Sequence, residues 1–183
     1  MKAIIFSVFL IFISLISSAQ SDDNSKSDTI IYNKVAPQTY DGSEFLIGKC
    51  TYDGLLNFEA FSKYYHYYFE NYEPKLDSLN QYHEKIQQLH IKIVLGTWCS
   101  DSQEQLAHFF RIMEDLGYPP HQFELIAVDE NKLADSLDIS DLEIKRVPTI
   151  IFYYQDKEIG RIIETPEETI EKDLEKIIEK IEG

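Results

Sequence analysis

Two residues of this chain, Cys50 and Cys99, carry thiols able to do covalent chemistry near neutral pH. Cys99 stands in the stretch Gly96-Thr97-Trp98-Cys99-Ser100-Asp101-Ser102-Gln103, after an alternating apolar run and before a run with helical spacing. A cysteine at such a junction faces the positive end of the helix dipole and the unpaired N–H groups of the first turn, which favour thiolate over thiol. Ser102, three residues on, can aim its hydroxyl back at the sulfur, whereas a negative Asp101 opposes a second negative charge beside it. On this ground Cys99 is a candidate nucleophile, and an inert cysteine buried at a helix cap is the alternative. Cys50 and Cys99 allow a single intramolecular disulfide, provided the fold brings their Cα atoms within about 7 Å.

Other constellations fail. The five histidines, His66, His83, His90, His108 and His121, show no metal-ligand spacing with each other or with the cysteines, so neither a metal nor a cofactor is expected. A cysteine-hydrolase pair needs a histidine beside Cys99, and His108 follows on the same helix about two and a half turns away. No glycine-rich phosphate loop is present. With 17 basic and 32 acidic residues the formal charge is -15, a surface that repels phosphate backbones and anionic lipid; no nucleic-acid partner is expected.

The elements that must position Cys99 follow from periodicity. Leu89, Ile91, Ile93 and Leu95 alternate with His90, Lys92 and Val94 up to Gly96, which predicts a strand. Leu106, Phe109, Phe110, Met113 and Leu116 share one helical face, and Gly117 with Pro119-Pro120 ends that helix. Phe123 to Val128 is nearly all apolar, as in a strand covered on both faces. Strand, helix, strand in this order implies parallel pairing through a right-handed crossover. The stretch 131–142 predicts a short helix, and 147–154 and 158–164 predict a hairpin turning through Gln155-Asp156-Lys157. A last helix is expected with Thr165 as cap, Pro166 in the first turn, Glu168 closing a capping box, and Ile170, Leu174, Ile177, Ile178 and Ile181 as its buried stripe.

Ahead of this unit, 30–54 holds one or two short strands broken by Pro37, Gly42 and Gly48. From Asn57 as cap, Phe58, Phe61, Tyr64, Tyr65, Tyr68 and Phe69 mark an aromatic helix face that is core rather than a stacking platform. Pro74 opens a second helix with Leu76, Leu79, Tyr82 and Ile86. The chain begins Met1-Lys2, runs apolar to Ile16, and reaches Ser17-Ser18-Ala19: a secretory signal peptide with cleavage after Ala19, shorter than the roughly 18 to 20 residues that span a bilayer. The expected location is therefore outside the cytoplasm, in the periplasm, with no stable membrane insertion after cleavage. The division is 1–19 signal peptide, 20–40 flexible N-terminus, 41–88 N-terminal extension with a helical pair, and 89–183 core.

Trp98-Cys99-Ser100-Asp101-Ser102 resembles the Trp-Cys-x-x-Cys signature of the thioredoxin family, with serine in place of the second cysteine, and Val147-Pro148-Thr149 resembles that family's cis-proline loop. The resemblance covers about half the chain, from Leu89 to Ile181. It implies an α/β thioredoxin fold, a central mixed β-sheet flanked by helices, carrying here an N-terminal helical extension. It implies that Cys99 attacks, that Trp98 shields it, and that Pro148 is cis with the Val147 backbone beside the sulfur to receive an extended substrate. Three departures accompany it: Ser102 replaces the resolving cysteine, Ile93 replaces a buried acid six residues before Cys99, and Glu164 replaces the glycine that ends the last strand. Without a neighbouring resolver, a mixed disulfide on Cys99 waits for an outside thiol or for Cys50. The function implied is monothiol thiol-disulfide exchange with a protein or small-molecule thiol or disulfide. The alternatives are a non-catalytic binding module and a Cys50–Cys99 pair.

Overall fold

The computed structural model describes residues 30–37 and 42–181. The expected signal peptide and the polar stretch through Thr29 lie outside the described residues. The elements are β1 (Lys34–Ala36), β2 (Phe45–Cys50), α1 (Tyr52–Leu56), α2 (Glu59–Glu70), α3 (His83–Ile86), β3 (His90–Leu95), α4 (Ser100–Asp115), β4 (Phe123–Ala127), β5 (Thr149–Tyr154), β6 (Lys157–Ile163) and α5 (Ile170–Ile178). The strands form one mixed sheet in the order β1-β2-β4-β3-β5-β6, flanked by helices, the thioredoxin-type architecture with a helical extension before β3. β3 and β4 run parallel, joined through α4, and the remaining neighbours are antiparallel.

Because strand side chains alternate between faces, the sheet separates two apolar clusters. On one face Cys50, Ile91, Ile93, Leu95, Leu125 and Ala127 pack under Leu106, Phe109, Phe110 and Met113 of α4, with Phe61 and Tyr65 of α2 and Leu174 and Ile178 of α5. On the other face Val94, Ile126, Val128, Val147 and Ile151 are covered by Ala134, Ile139 and Leu142 of the connection between β4 and β5. Trp98 and Cys99 pack against this second cluster.

Several expectations need correction. An additional short helix, α1, precedes the aromatic one; the Thr51 hydroxyl accepts the Gly54 N–H at 3.0 Å, so Thr51 starts a helix that Asn57 ends rather than begins. The second helix expected from Pro74 is a single α-turn, His83–Ile86, after a 3-10 turn, Asn80–Tyr82. The Glu171 carboxylate on α5 takes the Lys75 N–H and the Tyr72 hydroxyl, each at 3.0 Å, and holds the start of the segment beside α5; turn bonding begins only at Leu76, whose carbonyl accepts the Leu79 and Asn80 N–H groups. Leu79 and Ile86 are nonetheless fully buried, so the apolar pattern reported burial and not conformation.

Between β4 and β5 the expected helix is a 3-10 turn, Ser140–Leu142. Lys132 (φ 66°) and Asp135 (φ 56°) are left-handed, which interrupts a helix, and Asp129 Oδ1 accepts the N–H groups of Asn131 and Leu133, each at 2.8 Å, within the turns that result. In the hairpin Lys157 belongs to β6, leaving a two-residue turn in which Gln155 (φ 50°) and Asp156 (φ 62°) are both left-handed. The cap of α5 is Thr169, whose side chain accepts the Lys172 N–H, rather than Thr165. Asp173 reaches back to the Glu167 N–H at 2.6 Å and holds residues 166–168 outside the helix, while Glu168 pairs with Lys176.

Candidate active site

Cys99 is the N-cap of α4, with extended backbone (φ -93°, ψ 123°). Its N–H donates to Gly96 O at 3.0 Å and its carbonyl accepts the Gln103 N–H at 3.1 Å, which closes the turn and starts the helix in four residues. No side chain caps this end, so the amides of the first turn lack a side-chain acceptor on the side where the sulfur stands. The residue is half-buried, and its Sγ–H donates to Val147 O at 3.4 Å.

The strand-turn-helix junction is fastened on every side. Thr97 is fully buried, and its hydroxyl accepts the Leu46 N–H of β2 at 3.1 Å. Trp98 Nε1 donates to Val128 O at 2.9 Å, just past the end of β4, and the Lys132 ammonium lies 5.6 Å from the centre of the indole. Gly96 is required by this placement, because a Cβ there would stand 2.7 Å from Trp98 Cε2. Ser102 is fully buried, and its hydroxyl accepts the Gly96 N–H at 3.2 Å; among the described residues it makes no hydrogen bond to the sulfur. It therefore braces the loop instead of touching the thiol.

Opposite the sulfur, the Val147–Pro148 peptide is cis, and Val147 and Pro148 are buried. Pro148 O accepts the Glu164 N–H at 2.6 Å, and the Thr149 hydroxyl donates to Arg146 O at 2.7 Å. The Val147 N–H has no hydrogen-bond partner among the described residues. Glu164, at the end of β6, is left-handed at φ 62°, a conformation that favours glycine, and its carboxylate pairs with Arg146. Glu164 stands where the resemblance implies a glycine. Gln103 was not singled out from the sequence; a polar side chain on the buried side of an amphipathic helix was the available sign.

Cys50 lies elsewhere. It sits on the α4 side of the sheet, whereas Cys99 packs against the opposite face, and both thiols are free. Burial pushes the Cys50 thiol up to about 11, so it stays protonated at neutral pH. An open groove of about 750 Å³ bordered by Cys50, Lys49, His90 and Glu124 lies at the end of the sheet remote from Cys99. Among the described residues no group of three His, Cys, Asp or Glu side chains could hold a metal ion. No helix among them is long and apolar enough to cross a membrane.

No family model matches the chain, and no curated protein matches it. Among solved structures it is similar to a protein of unknown function from Pseudomonas aeruginosa, at 16% identity and a TM-score of 0.45, over 70% of this chain and 87% of that one. It is similar to Fasciola hepatica thioredoxin at 15% identity and a TM-score of 0.36, over 57% of this chain and 91% of that one. For mitochondrial thioredoxin 3 from Saccharomyces cerevisiae the values are 19% and 0.35, over 56% and 90%.

Proposed function

We propose that this chain is an exported thioredoxin-like protein that performs thiol-disulfide exchange through a single attacking cysteine, Cys99. The observation that carries the reading is the position of one sulfur: at the uncapped start of α4, half-exposed, and 3.4 Å from the carbonyl of Val147. Loss of the Sγ proton to water leaves a thiolate facing the first-turn amides. The thiolate attacks one sulfur of a substrate disulfide, the S–S bond breaks, and the departing thiolate takes a proton from solvent. Cys99 is then held in a mixed disulfide. With Ser102 at the resolving position and Cys50 on the other side of the sheet, release requires an outside thiol. That thiol attacks the substrate-side sulfur, forms the new disulfide, and returns Cys99 to the thiol.

Trp98 and the backbone of Val147–Pro148 would flank a substrate beside the sulfur, and the unpartnered N–H of Val147 supports pairing with an extended peptide segment. The Met1–Ala19 leader supports export to the periplasm. The experiment is site-resolved alkylation by iodoacetamide at pH 7 on one sample and, on a separate unalkylated sample, incubation with glutathione disulfide and intact-mass measurement. Cys99 is expected to react at least tenfold faster than free cysteine and to accept one glutathionyl group. A rate equal to or below that of free cysteine, with no adduct, overturns the exchange reaction and leaves the binding-module reading.

A further inference from the structure

We infer that Gln103 is a positioning residue for the Cys99 thiol, coupling helix α2 of the N-terminal extension to the loop that carries the sulfur; this rests on the reading of Cys99 as the attacking group. Gln103 is 8% exposed and lies one helical turn after Cys99. Its amide nitrogen donates to Thr97 O at 3.0 Å and to Ala60 O in the first turn of α2 at 3.1 Å. A primary amide has two N–H groups, and both are spent on these carbonyls.

The two acceptors belong to different parts of the fold. Thr97 O lies in the peptide immediately before Trp98-Cys99, while Ala60 belongs to a helix seated by the buried rings of Phe61 and Tyr65 and by the 3.2 Å hydrogen bond between the Tyr65 and Tyr52 hydroxyls. The Thr97 hydroxyl and Ser102 Oγ tie the loop to β2 and to Gly96, that is, to the sheet and to the loop itself. Gln103 ties it to the helical extension. A shift of α2 is thereby transmitted through one side chain to the peptide that sets where Cys99 stands relative to the first-turn amides. The bridging side chain must offer two donors: methionine matches glutamine in length and offers none, ionised glutamate offers none and repels both carbonyls, and lysine offers three.

The test compares Gln103→Met and Gln103→Lys with the unsubstituted protein by site-resolved alkylation of Cys99 at pH 7 and by hydrogen exchange of the Cys99 amide, which is bonded to Gly96 O. Gln103→Met is expected to slow alkylation at least fivefold and to speed exchange at least tenfold, and Gln103→Lys to bring both within twofold of the unsubstituted protein. Unchanged or faster alkylation together with unchanged exchange in Gln103→Met overturns the inference. So does Gln103→Lys behaving like Gln103→Met, because side-chain packing alone would then account for the effect. Should Gln103→Met fail to fold, Gln103→Glu, which keeps the size and removes the donors, is measured in its place. The exchange readout does not depend on thiol reactivity: an unreactive Cys99 in the unsubstituted protein sinks the exchange reaction alone, whereas an unloosened loop in the variant sinks the positioning role alone.

Discussion

The two cysteines stand in different surroundings. Cys99 has a helix start before it and solvent beside it, and Cys50 is 4% exposed among apolar side chains with its Sγ–H donating to Gly48 O. The Cys50 thiol is pushed up by burial to about 11, against 9.0 unperturbed. The unfolded chain therefore loses this proton first as pH rises, and the folded state binds more protons between the two values. Its contribution to stability is whole below pH 9 and is lost on the way to pH 11. Urea denaturation is expected to show up to about 3 kcal/mol of stability lost over that window, and Cys50→Val is expected to flatten that part of the curve. A curve in Cys50→Val identical to that of the unsubstituted protein would show that the buried tyrosines account for the whole alkaline limb.

Among the helices, α5 is the element whose start a local motif misplaces. Thr165-Pro166-Glu167-Glu168 has the composition of a capping box, but the N–H groups of Glu167 and Glu168 are claimed by Asp173, and Thr169 closes the helix instead. Thr169→Ala is expected to lower stability by about 1 kcal/mol. Thr165→Ala is expected to change it by less than about 0.5 kcal/mol. Equal costs in thermal denaturation would contradict the assignment of Thr169 as the cap. Within α4 the capping position is a cysteine, whose side chain makes no capping hydrogen bond.

Across the protein as a whole, the segments before β3 are bound to the C-terminal helix region by Tyr82–Glu179 and Lys85–Ile181 hydrogen bonds and by a buried carboxylate. Glu171 is 5% exposed and accepts the Tyr72 hydroxyl and the Lys75 N–H, residues far away in sequence. Burial pushes its carboxyl up, but the N–H of Lys75, its own N–H and the hydroxyls of Thr169 and Tyr72 outweigh that and hold it below the usual carboxylate value. A carboxylate held low contributes stability that is whole above the unfolded value near pH 4.5 and is lost as pH falls through the folded value. Glu171→Gln is expected to weaken the acid limb of the stability curve below pH 4.5 and to cost about 1.5 to 3 kcal/mol at pH 7. An unchanged acid limb in that variant would remove Glu171 from this role. Tyr72 also stacks on His108 of α4 with ring centres 4.1 Å apart, so the same contact region joins the extension to the helix that begins at Cys99.

The strand into Gly96, the helix after Cys99, the parallel partner strand and the closing hairpin were all legible in the residues alone. The first two announce themselves through periods of 2 and 3.6, the partner strand through a continuous apolar run and the hairpin through its turn residues, and the start of α4 at Cys99 follows from the two periodic runs meeting. Leu79 and Ile86 were legible as buried, but not as lying at a 3-10 turn and in a single α-turn instead of one continuous helix. The start of α5 depends on Asp173 taking the N–H groups of Glu167 and Glu168, the course of 72–76 on the contacts of Glu171, and the turns of 129–142 on left-handed Lys132 and Asp135, none of which periodicity encodes. The same limit applies at the site. That Ser102 braces Gly96, that Gln103 bridges Thr97 and Ala60, and that Cys50 and Cys99 occupy opposite faces depend on contacts between residues distant in sequence or on the parity of strand register. A local pattern records which residues are buried. Which donor meets which acceptor is settled only when separate segments pack, because a hydrogen bond needs atoms within about 3 Å and no spacing along the chain encodes that distance.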